Sequence, residues 1–127
     1  MNPDQPSKLT FETAAQHAST EVPVFPPACR AAEVRQQLAG RQYESASLVI
    51  VCEQRKFLGV VRIEDLLAAA ADTPLNDLMD REAPVVAPGV DQEVAAWHAV
   101  RNGESALTVV DREGHFAGVI QIGRAHV

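Results

Sequence analysis

The chain has 127 residues, of which 46% are hydrophobic and 22% are charged. This length and balance are typical of one globular domain, and they exclude a disordered tail, a collagen-like fibre and a disulfide scaffold. The formal charge of −6 is opposite to the positive charge that phosphate-backbone binding requires, so we expect no nucleic-acid partner.

The first half of the chain predicts a short lead-in followed by alternating helices and strands. Residues 1–21 form an N-terminal tail with a lead-in helix at Leu9–Ala18. Apolar spacing and punctuation by glycine and proline then predict the helix Ala31–Ala39, the strand Leu48–Cys52, a turn at 53–56, a second strand ending near Arg62, and the helices Ile63–Ala71 and Leu75–Asp80.

The second half repeats this order. Asp91 is a predicted N-cap for a helix over 92–102, with Val94, Trp97 and His98 on one face. We expect Trp97 to pack in the core or in a dimer contact. The strand Ala106–Val110, a polar turn at 111–114 and a final strand follow.

An internal repeat organises the whole chain. Residues 47–61 reappear 59 positions later as 106–120, with matching apolar positions and a matching glycine. The fold class is therefore α/β (α+β), with two βαββα-like units at 22–80 and 81–121, the second of them incomplete. Because units of about 60 residues are too small for independent cores, we expect them to pack as a pseudo-symmetric pair.

The last six residues, 122–127, follow the final strand without a cap or closing element. The codons ATC-GGA-AGA-GCA-CAC-GTC, a common sequencing-adapter read, translate into this hexapeptide. We interpret it as a non-native tail and expect the natural protein to continue differently after Gln121; an ordinary short tail is the alternative.

Cysteine usage and hydropathy indicate a reducing compartment. Cys29 and Cys52 are far apart in sequence and form no CxxC pattern, and Cys52 ends an apolar run, as a buried reduced thiol would. No secretory signal is visible, and no apolar run reaches the roughly 18 residues of a membrane helix. We therefore expect a cytoplasmic location and no membrane insertion of this segment.

The repeat resembles a tandem pair of CBS domains, also called a Bateman module. The resemblance covers about residues 22–121 and depends on three segments: VVDREGHFAGVI at 109–120, GVVRIEDLL at 59–67, and LNDLMD at 75–80 followed by Val85, Val86 and Pro88. Residues 62–67 and 90–95 are most similar to the cytoplasmic CBS pair of MgtE-type magnesium transporters.

That resemblance implies a regulatory domain that forms homodimers and gates a pore by ligand-dependent conformational change. It implies ATP or AMP as a ligand, Mg²⁺ as a second ligand, and a C-terminal transmembrane domain in the parent protein, at the cytoplasmic face of the inner membrane. Many family members have a long acidic domain before the pair, and this sequence does not contain it.

The resemblance assigns nucleotide binding to Val61, Arg62 and Asp65. An acid at the position of Asp65 binds the ribose hydroxyls in the family, whereas Arg62 replaces the usual serine or threonine. Arg62 either grips a phosphate or fills the cleft and excludes the nucleotide. The alternative role for Asp65 is a favourable charge in the first turn of a helix.

Four acids, Asp91, Glu93, Asp111 and Glu113, are candidate Mg²⁺ ligands, because Mg²⁺ needs only one or two carboxylates and keeps several waters. The competing interpretations are an N-cap for Asp91 and a hairpin turn for Asp111 and Glu113.

No nucleophile elbow, P-loop or HExxH motif is present, so we do not expect an enzyme. Three functions remain open: a transporter's regulatory domain, a stand-alone nucleotide-binding regulator of another enzyme, and a structural dimerisation module.

Overall fold

The computed structural model describes residues 13, 18–43, 46–101, 103 and 106–121. These residues form two compact units of mixed α and β structure, which confirms the predicted fold class. The first unit contains residues 21–83 together with 114–116. The second contains the described parts of 1–20, 84–113 and 117–127.

The first unit has one three-stranded sheet and three helices. The elements are β1 Val24–Phe25, α1 Ala31–Ala39, β2 Leu48–Glu53, β3 Lys56–Arg62, α2 Ile63–Ala68 and α3 Leu75–Leu78. Strand β1 lies parallel to β2, and β2 lies antiparallel to β3. The predicted bounds of α1 are confirmed.

The core of the first unit lies between this sheet and its helices. Central strand β2 has a continuous fully buried run from Val49 to Val51, as expected for a strand with hydrogen-bonded neighbours on both edges. The helices contribute Val34 and Leu66, which are also fully buried. The buried strand that we predicted from this β-branched apolar run is therefore confirmed.

The second unit repeats the arrangement with a sheet in the order β4-β5-β6, where β4 is parallel to β5. Its elements are β4 Val85–Val86, α4 Gln92–Arg101, β5 Ala106–Val110 and β6 Phe116–Gln121. Its buried cluster consists of Val86, Ala95, Ala99, Leu107, Val109 and Ile120.

Helix α2 ends at Ala68, three residues before its predicted end at Ala71. The alanine-rich segment has good helix propensity, but its backbone carbonyls accept hydrogen bonds from α1. The carbonyl of Ala71 accepts a hydrogen bond from the N–H of Ala32, in the first turn of α1, at 3.0 Å. Nη1 of Arg35 donates to the carbonyls of Leu66 and Ala69 at 2.6 and 3.0 Å. Contacts with α1 therefore override local propensity.

Of the two alternatives expected for Trp97, packing in the core is wrong, and a dimer contact stays a prediction. Helix α4 instead buries Ala95 and Ala99 completely, while Val94 is 48% exposed and Trp97 is 56% exposed. The alanines fit the helix closely against its sheet, so the larger side chains lie on the opposite face. Trp97 stacks there with the Arg101 guanidinium, whose carbon lies 4.7 Å from the ring centroid.

A short segment that precedes each repeat pairs with the outer strand of a sheet. Asp80 and Val60 exchange backbone hydrogen bonds at 2.7 and 3.2 Å in the first unit, which is why α3 stops at Leu78 and does not reach Asp80. Ser19 and Val119 do the same in the second unit, at 2.8 and 2.9 Å. Each unit thus contains one repeat and the lead-in to the other.

Two expectations concern residues outside those described. The predicted lead-in helix Leu9–Ala18 lies there except for Thr13 and Ala18, and Thr13 forms an isolated antiparallel bridge with Asp91. The predicted non-native tail 122–127 lies there entirely. Along the described part of the chain, none of the helices has the length and hydrophobicity needed to cross a membrane.

Candidate functional site

The candidate nucleotide residues lie where β3 passes into α2. Register pairs Leu48, the first residue of β2, with Arg62, the last residue of β3. The N–H of Ile63 donates to the carbonyl of Ser47 at 3.0 Å, which holds the start of α2 against the start of β2. The backbone around Asp65 is therefore anchored on the sheet.

Asp65 is the candidate best placed to meet a ligand. Its side chain is exposed in the first turn of α2, and the next residue, Leu66, is fully buried and anchors the helix. Among the residues that the structure describes, neither Asp65 nor its exposed neighbour Glu64 has a hydrogen-bond or ion-pair partner for its carboxylate. Asp65 thus presents acceptor oxygens to solvent, as binding of ribose hydroxyls requires.

The other two candidates are placed differently from each other. Val61 is fully buried in the core of the first unit, so only its backbone is available to a ligand. Arg62 is exposed and occupies the N-cap position of α2 without a capping hydrogen bond from its side chain. Arg62 and Asp65 are three residues apart, where β3 passes into α2.

The four candidate metal ligands belong to two local pairs in the second unit. An Oδ1 atom of Asp91 accepts a hydrogen bond from the N–H of Glu93 at 2.7 Å, and Oδ1 of Asp111 accepts one from the N–H of Glu113 at 2.9 Å. These bonds are the helix-cap and turn interactions that the alternative interpretations predicted. Carboxylate oxygens of Asp111 and Glu113 lie within 4.8 Å of one another, a spacing compatible with one shared cation.

The thiols are poorly suited to nucleophilic chemistry. Burial raises the pKa of Cys52 from 9.0 to about 11. Burial, followed by the nearby charge of Glu33, also raises the pKa of Cys29. Because the thiolate is the reactive form, both cysteines remain unreactive thiols near neutral pH. The predicted burial of Cys52 is confirmed, with the side chain 8% exposed.

A cavity in the first unit was missed by the sequence prediction. It has a volume of about 560 Å³ and lies at the tip of the β2–β3 hairpin, at the end opposite to Arg62. Its lining residues are Val24, Phe25, Pro26, Cys52, Glu53, Gln54, Arg55 and Phe116. They come from three separate stretches of chain, so no motif marks them. In the structure, the turn at this end of the hairpin is formed by Gln54 and Arg55, which have positive φ values of 53° and 73°.

No family model matches the chain. An uncharacterised 17.7 kDa protein of Acidianus ambivalens, from the bps2 3′ region, is 24% identical over 112 residues, covering 85% of this chain and 67% of that protein.

Solved structures give a clearer result. The cytosolic domain of the Mg²⁺ channel MgtE in complex with ATP superposes with a TM-score of 0.82 at 23% identity, over 88% of this chain and 47% of that one. The soluble part of a magnesium transporter has a TM-score of 0.80 and 25% identity, over 87% of this chain and 44% of that one. CBSX2 in complex with AMP has a TM-score of 0.73 and 21% identity, over 86% of this chain and 89% of that one.

These similarities define the class of protein. The chain has the fold of a CBS-domain pair, a class whose solved members include complexes with ATP and AMP. Within this class it is similar to the cytosolic domains of MgtE-type magnesium transporters, which confirms the resemblance found in the sequence. The chain spans a little under half the length of those two transporter domains.

Proposed function

We propose that this chain is the regulatory CBS pair of a magnesium transporter, located in the cytoplasm, and that it responds to an adenosine nucleotide. The observation that carries the proposal is the exposed carboxylate of Asp65, which has no partner among the described residues and lies three residues after Arg62, the last residue of β3. The similarity to the MgtE cytosolic domain in complex with ATP supports the choice of nucleotide.

The two side chains have complementary tasks in this proposal. Asp65 accepts hydrogen bonds from the ribose hydroxyls, and Arg62 pairs with a phosphate through its guanidinium. Because Val61 is buried, its contribution is limited to backbone groups. Binding favours one conformation of the domain over another, and that difference in free energy is what biases a pore.

Thermal denaturation with ATP and with AMP tests the nucleotide site. A ligand at one hundred times its Kd stabilises the folded state by about 2.7 kcal/mol, so the melting temperature of the wild-type chain should rise clearly. Asp65→Ala should abolish the rise. Glu64→Ala is the matched control, since it removes a neighbouring exposed carboxylate and should leave the rise intact.

The outcomes separate the alternatives. If neither nucleotide raises the melting temperature of the wild-type chain, the nucleotide proposal fails, and a structural dimerisation module with Arg62 filling the cleft is favoured. If Asp65→Ala retains the full rise, the nucleotide binds elsewhere.

Mg²⁺ added alone tests the Asp111 and Glu113 pair, which we propose as a weak cation site. A stabilisation equal to that by Na⁺ at matched ionic strength would contradict it.

A second candidate function is a stand-alone nucleotide-binding regulator of another enzyme, and the similarity to CBSX2 in complex with AMP supports it. Reading the gene beyond the codon for Gln121 distinguishes the two functions. A continuing frame with several hydrophobic stretches of membrane length supports the transporter, whereas a stop codon directly after Val127 supports the stand-alone regulator.

The proposal includes a homodimer. Helix α4 presents Val94, Trp97 and Val100 to solvent at 48%, 56% and 69% exposure, and these residues follow at intervals of three along the helix. Large apolar side chains aligned on one helix face are typical of an interaction surface. A second copy of the chain is the partner that we propose for this α4 face.

A further inference from the structure

We propose that the cavity at the tip of the β2–β3 hairpin is a second ligand site, which binds a small aromatic monocarboxylate through an ion pair with Arg55. This site is separate from the proposed nucleotide site. Register places Glu53 opposite Lys56 at the hairpin tip and Leu48 opposite Arg62 at the other end. Seven residues of strand, at about 3.3 Å each, separate Arg55 from Arg62.

The body of the cavity fits an apolar, ring-shaped ligand. Its lining residues include Phe25, Phe116 and Pro26, all of which have apolar, ring-shaped side chains. Val24 is 42% exposed, although it belongs to a strand, so apolar surface remains available beside them. A volume of about 560 Å³ lies in the range of small-molecule sites, which are mostly apolar with a few polar groups that orient the ligand.

Arg55 supplies the charge that selects the ligand. Its side chain is exposed and lines the cavity, and among the described residues its guanidinium has no hydrogen-bond or ion-pair partner. A guanidinium binds a carboxylate with two parallel hydrogen bonds. The nearby thiol of Cys52 stays protonated near neutral pH, so it carries no negative charge that could pair with Arg55 in place of the ligand.

The backbone holds Arg55 in a conformation that a long side chain rarely adopts. Its φ is 73°, whereas the corresponding position of the second hairpin, 59 residues later, is Gly114 with a φ of 86°. The N–H of Phe116 donates to the carbonyl of Arg55 at 3.1 Å, and the N–H of Phe57 donates to the carbonyl of Gly114 at 2.8 Å. Glycine would adopt this φ without strain, so the arginine holds its place in the turn at a conformational cost.

The remaining charges limit the ligand to a monoanion. Glu53 also lines the cavity, and among the described residues its carboxylate has no partner either. A polyanion such as a nucleotide would be repelled by Glu53 and by the net charge of −6. One carboxylate can pair with Arg55 while the rest of an apolar molecule avoids Glu53.

Titration of the ¹⁵N-labelled chain with 2-naphthoate tests the site, and 2-naphthamide is the uncharged control probe. We expect saturable shifts of the amide signals at residues 54, 55 and 116, with at least tenfold weaker binding of the amide. Arg55→Gly should weaken naphthoate binding at least tenfold without lowering the melting temperature. Arg55→Gln should weaken it to the same extent, and this variant removes the charge without introducing glycine.

Arg112→Gln is the charge-matched control, because it removes an exposed arginine that does not line the cavity. It should leave naphthoate affinity unchanged. Equal affinity for the amide and the acid, equal losses in the Arg55 and Arg112 variants, or shifts that spare the hairpin would each overturn the proposal. Asp65→Ala should bind naphthoate normally, so failure of the nucleotide proposal and failure of this one are distinguishable.

Discussion

Gly59 is a position where a single added methyl group should have a defined destabilising effect. A Cβ atom built on Gly59 would lie 2.7 Å from the carbonyl oxygen of Asp80 and 3.2 Å from Sδ of Met79. The Asp80 backbone has little freedom to retreat, because it exchanges two hydrogen bonds with Val60. Gly59→Ala must therefore separate the lead-in segment from β3.

The expected cost follows from this geometry. Forcing an extra methyl group into a packed site typically costs about 1–3 kcal/mol. For a domain of this size, each kcal/mol lowers the melting temperature by about 4 °C. Differential scanning calorimetry of Gly59→Ala should therefore show a melting temperature lower by about 4–12 °C. Urea denaturation should give a lower midpoint.

Gly40→Ala is the matched control. Gly40 ends α1 with a φ of −99°, which alanine adopts readily, and no atom lies within 4 Å of its added Cβ. Replacing glycine at a compatible position reduces the entropy of the unfolded chain and stabilises by about 0.4–1 kcal/mol. A Gly59→Ala variant as stable as Gly40→Ala would refute the close approach between β3 and the segment around Asp80.

Two further predictions concern exposed and buried side chains. Because the pKa of Cys52 is raised from 9.0 to about 11, the unfolded chain loses this proton first, so the free energy of unfolding falls as pH rises between these values. Chemical denaturation at pH about 8 and about 10.5 should show a smaller fall for Cys52→Ala than for the wild type, and an equal fall would contradict the buried thiol. Trp97→Glu places a charge in the α4 face, so sedimentation velocity should show a shift from dimer to monomer. A dimer that survives this substitution would locate the interface elsewhere.

Local pattern was sufficient for much of the fold. The bounds of α1 and β5 and the position of the β2–β3 hairpin followed from apolar spacing and turn residues. Each of these elements is encoded in one contiguous stretch of sequence, so apolar spacing and turn residues are enough to predict it. The internal repeat then indicated the CBS-pair fold, which the structural similarities confirm.

Local pattern failed where distant backbone competes for the same groups. The Ala-rich end of α2 is unwound because the carbonyls of Ala71 and Thr73 accept hydrogen bonds from the first turn of α1. Trp97 and Val94 have helical spacing, as core residues do, yet the small side chains of Ala95 and Ala99 face the sheet. Periodicity identifies a face of a helix but does not say which face a sheet will cover.

The candidate sites divide in the same way. Asp65 could be proposed from sequence because it lies within a contiguous motif; its side chain is exposed, and its role in ligand binding stays a prediction. The hairpin cavity combines β1, the turn at Gln54 and Arg55, and the start of β6, so no single segment contains it.

By itself, the sequence determined the repeat, the order of helices and strands, and the acid expected to bind a ribose. Tertiary structure alone decided where α2 ends, which face of α4 is buried, and which lead-in pairs with which sheet. Ser19 precedes the first repeat but pairs with Val119, and Asp80 precedes the second but pairs with Val60. The physical reason is that backbone hydrogen bonds carry no side-chain code, so their partners depend on how the chain returns in space.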